Sequence, residues 1–226
     1  LEDDRVDPSD YNNSAKQKAS KNGHTNVVKL LLADERVDPS DNKNIAVGLA
    51  SSNGYTEVVK LLLADKRVDP SDDSNWAIIH ACLNGHIEVV KLLLADGRVD
   101  PSENKNFAIG YTSSSGYIEI VKLLLADERV DPSDNNNFAV GLASSNGHLD
   151  VVKLLLADKR VNDGGLFRAI YYSYAYAHFD ILQLLLEPLN MPTIVKSIMY
   201  DIHKTNIIQI IYNIVMRIFY FLGIPG

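Results

Sequence analysis

Apolar and polar positions along this chain fall into two recurring blocks. In one, Val58-Val59 and Leu61-Leu62-Leu63 sit at helical spacing with Glu57 and Lys60 three apart on the other side, which predicts a short amphipathic helix with a charged outer face. In the other, Ile45-Ala46-Val47-Gly48-Leu49-Ala50-Ser51-Ser52 is small and weakly apolar and predicts a second short helix. Both blocks repeat, because Gly23, Gly54, Gly85, Gly116 and Gly147 each fall 31 residues after the last. A fixed step in the range of about 20–50 residues marks a stack in which each unit buries its apolar face against its neighbours.

Helix pairs are predicted at about residues 13–34, 44–65, 75–96, 106–127, 137–158 and 167–186, within an array over residues 1–186. Residues 1–12 read as the tail of a truncated preceding repeat, so the chain is expected to be a piece of a longer array. Asn13, Asn44, Asn75, Asn106 and Asn137 precede the first helices, where an Asn side chain would cap a helix start. The glycines suit a left-handed turn between the two helices, and Asp69-Pro70 and its equivalents are expected to stop the second. Helices this short do not stand alone in water, so the units must stack. Two units depart from the pattern. Lys16 occupies a place held by Val47, Ile78, Ile109 and Val140, so either unit one faces solvent there or the position is costly. In the sixth unit Phe167, Ala177 and Ser173-Tyr174 replace the Asn, the Gly and the small pair of the others, so its packing must differ.

The segment Gly85-His86-Ile87-Glu88-Val89-Val90-Lys91-Leu92-Leu93-Leu94 closely resembles the second half of the ankyrin repeat, and the likeness extends over about residues 1–186. The resemblance implies an all-α ankyrin-repeat solenoid of stacked helix-turn-helix units, with first helices lining a concave surface, that binds another protein. The first half departs from the family. Its Thr-Pro-Leu-His is replaced by Ile45-Ala46-Val47-Gly48, Trp76-Ala77-Ile78-Ile79, Phe107-Ala108-Ile109-Gly110 and Phe138-Ala139-Val140-Gly141. The loop before it is short, so the β-hairpin fingers are expected to be reduced. This dialect, rich in Asn, Ile, Lys and Tyr, is similar to the ankyrin arrays of giant DNA viruses and of some amoebae.

Charge and composition narrow the function. A net charge of −7, with lysines dispersed about one per repeat, argues against nucleic acid as a partner. Cys82 is the only cysteine and lies in an apolar pattern, which excludes a disulfide framework and suits a reducing, cytoplasmic setting, the host cytoplasm for a viral protein. No phosphate loop, nucleophile elbow, paired-acid site or metal signature occurs, so neither enzyme activity nor a cofactor or metal is expected. His24, His86, His148 and His178 lie a repeat apart with no acid or nucleophile beside them, which predicts a structural hydrogen-bonding role. Arg36, Arg67, Arg98, Arg129 and Arg160 read as a ladder pairing with Asp of their own or the next unit.

Variation between copies points to the functional face, since stacking fixes interface residues and leaves partner-facing ones free. It concentrates on the first helices, and the residues selected as partner-binding are Trp76, His80, Leu83, Tyr111, Tyr172 and Tyr176. The competing reading is that rings such as Phe107 and Phe138 fold over Gly110 and Gly141 as core. Residues 187–226 read as a degenerate helical cap, and the stripe Gln209, Asn213 and Arg217 argues against a membrane span. A faint F-box likeness at residues 191–198 gives an alternative function as substrate receptor of a ubiquitin ligase. A third reading is an enzyme with an unrecognised site, and the oligomeric state expected is a monomer.

Overall fold

In a computed structural model of the protein, the described residues are 7–162 and 165–187. The described residues form two compact bodies, divided after Asp131. The first holds α1 (Asp10–Lys21), α2 (Thr25–Leu32), α3 (Asp41–Ser52), α4 (Thr56–Ala64), α5 (Asp72–Leu83), α6 (Ile87–Ala95), α7 (Glu103–Ser115) and α8 (Ile118–Leu125). The second holds α9 (Asp134–Ser145), α10 (Leu149–Leu156), α11 (Phe167–Ala175) and α12 (Phe179–Leu186). In the first body α1, α3, α5 and α7 lie side by side, as do α2, α4, α6 and α8; in the second, α9 lies on α11 and α10 on α12. No strand occurs among the described residues.

The core is a strip to which each repeat adds the same residues. Ala46, Val47, Ala50, Val58, Val59, Leu62 and Val68 are all at 2% exposure or less. Each fully buried Val or Leu contributes about 1.5–3 kcal/mol. Gly23, Gly54, Gly85, Gly116 and Gly147 have φ of 70 to 77°, as the turn between paired helices requires. At Gly54 the turn closes by hydrogen bonds from its own N–H to Ser51 O and from Tyr55 N–H to Ala50 O. The position is doubly restricted, because a Cβ there would come within 2.5 Å of the His86 ring of the next repeat.

Two local expectations are corrected. The buried asparagines do not cap their own helices. Asn42-Lys43-Asn44, and the equivalent residues at 11–13, 73–75, 104–106 and 135–137, all have positive φ, so a left-handed turn precedes each right-handed segment. Among residues other than glycine, Asn and Asp tolerate that conformation best, which suits the Asn-rich runs. The turn aims Asn44 into the next repeat, where its Oδ1 accepts from Asp69 N–H at 2.9 Å and its Nδ2 donates to Asp72 Oδ2 at 3.0 Å. Asn13 does the same with Asp38 N–H and Asp41, and Asn75 with Asp100 N–H and Glu103. In addition, Pro does not stop the second helix. Helix α4 ends at Ala64, where Asp65 turns extended (ψ 117°) and gathers Arg67 through its carboxylate, well before Pro70.

The arginines pair within their own loops: Arg67, Arg98, Arg129 and Arg160 each reach the Asp two residues earlier at 2.6 Å, and Arg36 reaches Asp34 at 2.7 Å. The remaining donors of Arg67 and Arg98 extend backward to carbonyls of the preceding repeat, Val37 and Leu32 for one and Val68 and Leu63 for the other. Lys16 is 0% exposed, so unit one does not face solvent at that position. Its ammonium donates to Asp38 O at 2.6 Å, and burial pulls it from the ordinary 10.5 to about 8. The proposed cap over residues 193–222, its polar stripe and the F-box-like residues 191–198 lie outside the described residues.

Candidate functional site

In the first body, α5 and α7 carry the selected residues. Trp76, His80 and Leu83 follow one another at i, i+4 and i+7 along α5, all half-buried, and Tyr111 takes the place of His80 one repeat later on α7. Trp76 and His80 are in ring contact, with centroids 4.7 Å apart and planes at 49°, and burial holds the His80 imidazole below its ordinary range. Phe107 meets Tyr111 edge-on at 5.5 Å.

Trp76 has a second neighbour. A Cβ built on Gly48 would lie 1.8 Å from its six-membered ring, so the indole rests on the bare backbone of the preceding repeat. The expectation that rings fold over vacant glycines thus holds for a pair it did not name. At Gly141 it is corrected, since the nearest side chain there is the Arg168 stem, whose Cδ would be 3.2 Å from an added Cβ, and not Phe138. The ring needs a small residue about a repeat before it, not on its own helix.

In the second body the selected residues lie at the end of α11. Tyr172 is half-buried, with Tyr171 at 5.6 Å and Tyr176 at 6.2 Å between ring centroids. Tyr176 is 60% exposed and Tyr171 41%. Tyr171 belongs to this cluster although variation among first helices did not select it. The readable sign was that it replaces the glycine found at 48, 110 and 141.

The model of the family described as ankyrin repeats matches residues 17–105, 47–136 and 109–197. The chain belongs to the ankyrin-repeat family. Among curated proteins none matches it. Ankyrin repeats are in general protein–protein interaction modules. In this ankyrin chain several of the recurring residues bond between repeats. His86 donates through Nε2 to Ser52 O of the preceding repeat at 3.1 Å, and His178 to Ser145 O at 3.2 Å, so these two have the structural role expected. Burial pushes the Cys82 thiol up to about 12, which leaves it an inert core residue. Among the described residues, no group of His, Cys, Asp or Glu could hold a metal ion, and no helix is long and apolar enough to cross a membrane.

Proposed function

We propose that this protein is a non-catalytic ankyrin scaffold that acts as a monomer and binds a partner protein on the face of its first helices. The carrying observation is a division of labour among positions. The recurring Asn and Arg bond from one repeat to the next, as Asn44 and Arg67 do, and a ring of the next repeat covers the recurring Gly, whereas the positions that vary hold half-buried or exposed side chains, most of them aromatic. Trp76, His80, Leu83 and Tyr111 form this set in the first body, and Tyr172 and Tyr176 in the second. Tyr and Trp are the side chains that most often anchor interfaces, since they offer large contact area at low entropic cost. A single, buried cysteine supports a reducing cytoplasmic compartment.

The test places a photo-crosslinking residue at 111, at 176 or at 60, the last on the charged side of α4. The expected result is a partner adduct from 111 and 176 that excess unlabelled protein competes away, and none from 60. Tyr176→Ala should weaken binding by about 1–2 kcal/mol with an unchanged circular dichroism spectrum. Adducts confined to position 60 would show that the partner sits on the second helices.

A further inference from the structure

Asp-Pro-Ser recurs in the loops between repeats at residues 38–40, 69–71 and 100–102. An Asp-Pro bond carries its own means of breaking. The Asp carboxylate can attack the main-chain carbonyl carbon of its own residue and close a five-membered ring, and the proline nitrogen, a tertiary amide with no N–H, is the leaving group. The three loops hold this pair alike. In each, one carboxylate oxygen accepts from the N–H of the Ser two residues on at 2.9 Å and from its hydroxyl at 2.6 or 2.7 Å. At Asp38 and Asp100 those bonds hold the carboxyl below its ordinary range, so the nucleophile is ionised at neutral pH.

The loops part at the scissile carbonyl. Those of Asp69 and Asp100 meet Asp72 and Glu103 N–H at 3.4 Å. Asp38 O accepts from the Lys16 ammonium at 2.6 Å, because Lys16 stands where the next two repeats hold Val47 and Ile78. A charged donor on an oxygen that turns negative is what stabilises the tetrahedral intermediate of acyl transfer, and it acts most strongly away from water. Lys16 is 0% exposed, and with its pKa pulled to about 8 it is a readier proton donor than a surface lysine while still charged at neutral pH. Asp38 itself is exposed, so water reaches the bond.

We propose that Lys16 makes Asp38–Pro39 a self-cleavage site of the folded protein. The Asp38 carboxylate forms a C–O bond to its own main-chain carbonyl carbon while Lys16 steadies the oxyanion. The C–N bond to Pro39 then breaks, the nitrogen taking a proton from Lys16, which leaves a cyclic anhydride on residue 38. Water opens the anhydride to two carboxylates and two protons. One proton restores the Lys16 ammonium and the other charges the freed proline amine, so no oxidant or reductant takes part. The cut lies between α2 and α3 and leaves the helix pairs on either side whole.

The experiment incubates the purified full chain at neutral pH and 37 °C with protease inhibitors and follows fragments by intact-mass spectrometry. Products ending at Asp38 and beginning at Pro39 should accumulate at least about ten-fold faster than those from Asp69–Pro70 and Asp100–Pro101, at a rate independent of protein concentration. Lys16→Ile, at a position where other repeats carry Val or Ile, should bring the three rates within about three-fold. Asp38→Asn, which keeps both Lys16 and the carbonyl, should abolish the early cut. In denaturing urea the preference should vanish, because the ammonium is no longer held on the carbonyl. A chain that stays intact over weeks, equal rates at the three bonds in buffer, or a preference that survives Lys16→Ile or urea would each overturn the proposal.

Discussion

Replacing Lys16 by isoleucine should stabilise the protein at neutral pH, and the structure gives both the size and the pH dependence of the gain. The side chain is fully buried, and burial lowers its pKa from 10.5 to about 8. At about 1.4 kcal/mol per pH unit, that difference corresponds to roughly 3 kcal/mol borne by the folded state whenever the amine is charged in both states. Isoleucine removes this cost and loses the bond to Asp38 O. The equivalent carbonyls of Asp69 and Asp100 accept from Asp72 and Glu103 N–H at 3.4 Å and need no lysine, so the loss is small. A net gain of about 1–3 kcal/mol follows, a rise in Tm of several degrees at about 2–4 °C per kcal/mol for a chain of this length. The sign with pH is definite. Below about 8 both states hold the proton and the cost is complete. Between 8 and 10.5 the unfolded lysine still binds a proton that the folded one has released, so wild-type stability rises with pH. Calorimetry of both proteins at pH 7 and pH 9.5 should therefore show the advantage of Lys16→Ile shrinking by about 2 kcal/mol, most of the gain. A variant no more stable than wild type at pH 7, or a gain independent of pH, would refute burial of a charged amine at this position.

Other substitutions separate stacking from recognition. Trp76→Ala uncovers the Gly48 backbone and should cost about 1–3 kcal/mol in chemical denaturation, whereas Tyr176→Ala, at a residue 60% exposed, should cost less than about 0.5 kcal/mol. Asn44→Asp sets a second carboxylate against Asp72 and should destabilise by about 2–4 kcal/mol at pH 7, with part of the loss recovered as the pH falls toward 4 in urea titrations. Ala177 has φ of 60° where the other repeats have glycine, so Ala177→Gly should raise the melting temperature by the equivalent of about 0.5–1 kcal/mol.

The contrast between Gly54 and Asn44 shows how far the chain could be read. The 31-residue step, the paired helices, the left-handed glycine and the Glu57–Lys60 pair, found at 2.6 Å, were all legible in the sequence. Each is decided within a few residues: helical spacing, a missing Cβ, or charges one turn apart. The candidate face was legible only in part. Variation among first helices picked out Trp76 and Tyr172, but not that the indole of one rests on Gly48 or that the other is flanked by Tyr171. Asn44 looked like a helix cap because a cap is the local use of that residue type. Its actual partners lie 25 and 28 residues away, brought within reach by a left-handed turn and by the stacking of the next repeat. The same holds for Lys16, whose burial depends on the repeat that covers it. What each repeat is can be read from the chain, because those interactions are local. What each repeat does to the next comes from the stack, because a side chain's burial and its hydrogen-bond partner are set by whichever backbone the neighbouring repeat delivers to it.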